Sequence, residues 1–263
     1  MKKKKLPLKI TLAVAYVAMI IVNYLAVALP IGGVTTGEAA DAYANLFTPA
    51  GITFSIWGII YLLLFCHVLY QFGLWQKNAD QKREDNLALV GRYFFATSVA
   101  NIAWIFAWHN GVIWLSLLIM LSLLFFLIKI SDLVNKEQYN LTETFFIRLP
   151  FSVYFGWITV ATIANATVFL VSLNWNGFGI ADAIWTIIIL LVGAGIGIIR
   201  MLKDKNIFYG LVLVWAYAGI LWKHISVDGF GEQYPSIIST VIICLVLLIS
   251  AIGILGYRNR KLK

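Results

Sequence analysis

Charge is scarce in this chain. Asp, Glu, Lys and Arg make up only 12% of its 263 residues, against roughly 25% in soluble globular proteins, and this excludes an ordinary soluble domain. Cysteine is nearly missing. Cys66 and Cys244 both lie inside apolar runs, so neither a disulfide framework nor a thiolate metal cluster is indicated. His67, His109 and His224 show no ligand spacing, and neither a metal nor a cofactor is expected. No paired acidic residues lie deep in the apolar runs, which argues against ion-coupled transport. No internal repeat is evident, which argues against an inverted-repeat transporter. Nothing resembles an activated nucleophile or a placed acid–base pair, so the chain is not expected to be an enzyme.

What is present is hydrophobic residues, at 61%, in long runs. They form eight candidate spans, at about 8–29, 51–74, 91–108, 111–130, 149–171, 181–200, 207–223 and 235–256. The expected fold is all-α, a polytopic transmembrane helical bundle of about eight helices. No connection is long enough for a soluble domain. The first run, Leu8 to Leu29, exceeds the roughly 7–15 residues of a signal peptide core, and it reads as an uncleaved first helix.

The formal charge of +8 is a topology signal rather than a nucleic-acid footprint. With both termini inside, 19 of the 20 basic residues fall on the inner side, among them Lys2 to Lys5, Lys77 and Lys263, and only Lys223 falls outside. Inner loops of membrane proteins carry this excess. The expected location is therefore a plasma membrane, of bacterial type, with cytoplasmic termini. With the native cysteines removed, Lys3→Cys and Lys261→Cys should both resist an impermeant thiol reagent in intact cells. Labelling of either would overturn the topology.

Pro30 and Gly32-Gly33 should end the first helix, and 31–48 reads as an outer loop of small and acidic residues. Thr48 is placed to cap the second helix, with Pro49 in its first turn. Residues 76–90 and 131–147 read as polar inner loops, the former solvated. Trp108-His-Asn-Gly111 is a tight outer hairpin. Asn174-Trp-Asn-Gly-Phe-Gly179 is the strongest break in the second half. Gly193-Ala-Gly-Ile-Gly197 lies inside a span, so it is no phosphate loop; it permits close helix approach.

Polar groups at bilayer depth are expensive and face the protein interior. Asn23, Trp57, Asn101 and Asn165 each lie about six or seven residues from the outer end of their spans, roughly 9–10 Å below the boundary at 1.5 Å per residue. Tyr24, Tyr61 and Trp104 are close to that depth, and Trp157 is deeper. Trp57 and Tyr61 share one helix face. The coincidence fits a polar–aromatic pocket; it fits equally well asparagines that link helices around an aromatic core. Trp75, Trp114, Trp175 and Trp222 read as interfacial anchors. His67 reads as a packing residue.

Three segments, in order, resemble the TspO/MBR family of tryptophan-rich sensory or translocator proteins. They are Phe47-Thr-Pro49 with Trp57 and Tyr61, Ala100-Asn-Ile-Ala-Trp104, and Tyr154-Phe-Gly-Trp157 continued by Ala161-Thr162 and Asn165. The resemblance implies a five-helix bundle that binds porphyrins, sterols or other flat hydrophobic ligands. It marks Trp57, Asn101, Trp104, Tyr154, Trp157, Ala161 and Asn165 as pocket residues, beside Asn23 and Tyr61 from the depth argument. The chain departs from the family pattern at several points. Leu46 stands where the family has a loop tryptophan, and Thr48 replaces one proline of a pair. Pro150 falls about one turn early. Residues 166–170 lack the steroid-recognition pattern, and three helices follow the fifth.

The expected organisation is a TspO/MBR-like five-helix membrane unit over 1–173 and a three-helix membrane extension over 174–263, packed on it. The expected function is binding a hydrophobic, tetrapyrrole-like small molecule for sensing, sequestration or transport, with residues 31–48 as a lid. An eight-helix small-metabolite transporter is the alternative, and a light-dependent tetrapyrrole-modifying enzyme a lesser one. The expected partners are the lipid bilayer, the small-molecule ligand and a second copy in a homodimer, with no nucleic acid.

Overall fold

The computed structural model describes residues 2–29, 31–76 and 81–261. Pro30, Lys77, Lys263 and the 77–80 part of the first inner loop lie outside the described residues. The protein is an all-α polytopic helical bundle, 83% helical with no strand among the described residues. Its helices are α1 (Lys2–Ala28), α2 (Thr36–Asp41), α3 (Ile56–Gln71), α4 (Gln81–His109), α5 (Ile113–Val134), α6 (Leu141–Glu143), α7 (Leu149–Ser172), α8 (Asp182–Asp204), α9 (Ile207–Ile225) and α10 (Pro235–Lys261). Eight helical stretches are long and apolar enough to cross a membrane, and each overlaps one of the spans read from the sequence.

Compactness divides the chain into two units, Met1–Thr36 with Trp57–Phe155 and Gly37–Ile56 with Gly156–Lys263. These boundaries are drawn at other residues than the sequence division after 173.

In the first unit, α4 packs against both α1 and α5. Helix α5 buries Ile113, Ser116, Met120, Leu123, Leu127 and Ile130, a helical repeat of three and four residues. Leu118, Leu121 and Phe125 on its other side are exposed, as a lipid-facing surface requires. The turn after α1 is pinned to the end of α4. His109 Nδ1 donates to Ile31 O at 2.9 Å, and Thr36 Oγ1 donates to His109 Nε2 at 3.0 Å. Trp108 Nε1 donates to Thr36 O at 3.2 Å.

Two expectations for the helix ends are corrected. Residues 81–90 are the first turns of α4 rather than a solvated loop. Arg83 pairs with Glu143 and donates from Nη2 to Gln138 O at 2.9 Å, and Asn86 Nδ2 donates to Glu137 Oε1 at 2.7 Å. Polar partners hold these turns, so a hydrophobicity argument could not see them. Thr48 does not cap the second helix. It closes a turn with Asn45, whose Oδ1 accepts Thr48 N–H at 2.8 Å. A 3₁₀ segment, Gly51–Ser55, comes before α3 and has no side-chain cap.

Pro150 explains an irregularity ahead of α7. Residues Thr144–Arg148 form a π-turn, in which Leu149 N–H donates to Thr144 O. Pro150 has no N–H for the Phe146 carbonyl one turn earlier. That carbonyl accepts from His67 Nδ1 instead, at 2.8 Å. Gln71 Nε2 then donates to His67 Nε2 at 3.2 Å and to Leu87 O at 3.1 Å. Both ring nitrogens of the fully buried His67 are occupied, and its tautomer is set by these partners.

In the second unit, α8, α9 and α10 pack on one another. The close approach read from Gly193 and Gly197 is present. A Cβ at Gly193 would lie 2.8 Å from Tyr217 Oη, and one at Gly197 would strike Leu213 Cδ1. The loop before α3 is fastened to α9. Ala50 N–H donates to Gly219 O at 3.1 Å, Trp215 Nε1 to Thr53 O at 3.0 Å, and His224 Nε2 to Leu46 O at 2.9 Å. Lys223 pairs with Asp41 at 2.6 Å.

Candidate functional site

Within the first unit, three helices converge on a polar chain. Tyr61 of α3 donates its hydroxyl to Asn23 Oδ1 of α1 at 2.6 Å. Asn23 Nδ2 donates to Asn101 Oδ1 of α4 at 2.6 Å and to Met19 O at 2.9 Å. Trp57 stacks on Tyr61 with ring centroids 5.4 Å apart, as their one-turn spacing allows. Tyr154 meets Trp57 edge-on at 5.9 Å. Asn23, Trp57, Tyr61, Asn101 and Tyr154 are thus one connected group. Asn23 and Tyr61 are half-buried, while Asn101 and Tyr154 are fully buried.

Part of this group's hydrogen-bonding capacity is unused. Among the described residues, Trp104 Nε1 is buried without a hydrogen-bond partner, while Asn101 Nδ2 and Tyr154 Oη, buried side by side, are close enough to interact but form no well-aligned hydrogen bond. Asn101 and Trp104 lie three residues apart on α4, on one side of the helix. Trp104 also stacks on Trp108 at 5.4 Å. All three groups carry a proton to donate. An unsatisfied buried donor costs about 1–3 kcal/mol, so the Trp104 indole N–H, beside the poorly aligned Asn101 and Tyr154, calls for an explanation.

The remaining sequence candidates fall in the second unit. Trp157 is buried and meets Phe54 edge-on at 5.6 Å. Asn165 is buried and Ala161 half-buried, on the same helix. Tyr24, close to the shared depth in sequence, is 69% exposed and takes no part. Tyr16 was missed: its hydroxyl donates to Tyr61 O at 2.9 Å. It lies seven residues before Asn23, two helical turns on the same face, and that spacing was a usable signal.

A family model described as TSPO-like protein matches residues 9–254. The chain belongs to the TSPO-like protein family. The match reaches into all eight membrane-length helices, so α8, α9 and most of α10 of this TSPO-like chain lie within the region the family model describes. The chain matches no curated protein and no solved structure significantly. As a TSPO-like chain with eight such helices, it is an integral membrane protein.

Proposed function

We propose that this protein binds a hydrophobic, flat, tetrapyrrole-like small molecule in a plasma membrane of bacterial type, for sensing, sequestration or transport. The observation that carries the reading is the buried, incompletely satisfied polar group of Asn101, Trp104 and Tyr154, with Trp104 Nε1 unpartnered, next to the Trp57–Tyr61 stack. The aromatic rings provide a surface for a planar apolar body, and the donors call for acceptors such as carbonyl or carboxylate oxygens at its edge. Family membership supports binding rather than catalysis. Trp157, Ala161 and Asn165 are proposed as further ligand residues on the resemblance alone.

The test is a porphyrin titration of purified protein, with mass spectrometry of co-purified molecules. Asn101→Ala removes one donor and also breaks the link to Asn23. It should weaken binding by roughly 0.5–1.5 kcal/mol, or more if Asn23 is left unpaired. Asn165→Ala should weaken it too. Trp114→Ala and Trp222→Ala, at residues 57% and 59% exposed, should leave it unchanged. Equal affinity in all four variants would sink the reading.

An eight-helix small-metabolite transporter is the second reading, favoured by a family match that includes α8, α9 and most of α10. Uptake into vesicles driven by an ion gradient would select it.

A further inference from the structure

A separate recess of about 340 Å³ lies in the second unit, where the loop before α3, the end of α7 and the start of α8 meet. Leu46, Leu170, Trp175, Asp182, Trp185 and Ile189 contribute its walls. The volume is at the lower end of the roughly 300–1,000 Å³ of small-molecule sites. None of Asn23, Trp57, Tyr61, Asn101 or Tyr154 lines it.

The recess is built around two indoles. Trp175 and Trp185 stand 5.2 Å apart at 53°, and Phe178 rests edge-on against Trp175 at 5.3 Å. Trp185 is locked in place by its Nε1, which donates to Gly177 O at 2.9 Å. Gly177 is required there: its φ is +62°, and a Cβ would press on the indole at 3.1 Å.

Most polar groups on the walls are used internally. The Thr186 hydroxyl donates to Asp182 O at 2.8 Å and that of Thr167 to Ile163 O at 3.0 Å. The Asn45 side chain is taken up by Tyr43 O and by Thr48. The prominent features left for an occupant are the two indoles, aliphatic side chains, the Asn174 carboxamide and the exposed Asp182 carboxylate. No Lys or Arg lines the recess, and among the described residues Asp182 forms no ion pair. An acidic residue in a first turn also favours its own helix, but that role does not call for two indoles beside it. Indole faces attract cations, and the carboxylate adds a full negative charge.

We propose that this recess binds an organic ammonium group carried on an apolar body. Its source is either a free amphiphilic amine or the ammonium headgroup of a lipid. The test uses the full chain in phosphatidylglycerol nanodiscs, titrated calorimetrically with benzyltrimethylammonium and, as the neutral control, benzyl alcohol.

The cation should bind saturably and the alcohol should not. Asp182 is solvent-exposed, so Asp182→Asn should weaken the cation by about threefold and Trp175→Leu by about fivefold, and Asp182→Glu should restore most of the Asp182→Asn loss. Asn101→Ala should leave this affinity unchanged, which separates the site from the one proposed above. In phosphatidylserine nanodiscs, which keep the same net lipid charge but add an ammonium headgroup, a weaker apparent affinity supports the proposal with the lipid headgroup as occupant. An unchanged affinity supports it with a free cation. Absence of saturable binding, equal binding of the alcohol, or wild-type affinity in both Asp182→Asn and Trp175→Leu overturns it.

Discussion

Gly219→Val should unseat the loop before α3 from α9 and lower the thermal stability of the purified protein. A Cβ at Gly219 would lie 2.9 Å from Thr53 Cβ and closer still to its hydroxyl. Rotating the Thr53 side chain cannot relieve the first contact. The two backbones are also joined at this point, by Ala50 N–H to Gly219 O at 3.1 Å, and Trp215 Nε1 reaches Thr53 O one turn earlier. Overpacking of this kind costs about 1–3 kcal/mol, and each hydrogen bond lost adds about 0.5–1.5 kcal/mol. The readouts are the unfolding midpoint in detergent and protease cleavage within residues 41–55. Gly195→Val is the control, because a Cβ there meets nothing within 4 Å. If both valine variants lose stability equally, helix propensity rather than the loop contact is responsible, and the seating argument fails.

A chain truncated after Asn176 should lose the ordered loop before α3 altogether. The truncation removes α8, α9 and α10, and with them every tether from α9 to Asp41, Leu46, Ala50 and Thr53. It also strips one face of α7. Val212 Cβ sits 2.9 Å from where a Cβ of Gly156 would be, and Tyr209 donates its hydroxyl to Thr159 Oγ1 at 3.2 Å. The exposed Lys223–Asp41 pair contributes little of this; the three hydrogen bonds to loop carbonyls and amides, with the packing around Gly156 and Gly219, contribute most. The truncated chain should show rapid cleavage in residues 41–55 and weaker porphyrin binding than the full chain. A stable truncation with a protected loop and unchanged binding would mean that α8–α10 form an independent extension, and the division after residue 173 would stand.

The sequence was most legible where one physical term dominates. Transfer of apolar side chains into lipid outweighs other terms along each span, so the eight helices could be read from composition, while the third was read too short. Its first turns, from Gln81, rest on Arg83–Glu143 and Asn86–Glu137, and these partners are distant in sequence. Thr48 was misread for a related reason. Its local chemistry suits a helix cap, but Asn45 three residues earlier offers a competing turn.

The candidate site was legible in part. Equal depth in the bilayer was enough to relate Asn23, Trp57 and Asn101, because helix rise is constant. Depth says nothing about rotation, however. Tyr24 shares the depth of Asn23 but, about 100° around the helix, faces outward. Tyr16, two turns away on the same face, joins the group.

By itself, then, the sequence determined the solvent and the helices of this protein: eight apolar spans, the glycine contact on α8 and membership of its family. These are properties of each segment alone, set by transfer energies, helix rise and side-chain size. Only the tertiary structure decided the partners. It paired His67 with the carbonyl freed by Pro150, joined Tyr61 to Asn101 through Asn23, tied the loop before α3 to α9, and set Trp175, Trp185 and Asp182 around one recess. A hydrogen bond or ring contact depends on distance and angle at the scale of an ångström, and residues as far apart as Thr53 and Trp215 acquire that geometry only when the helices between them have packed.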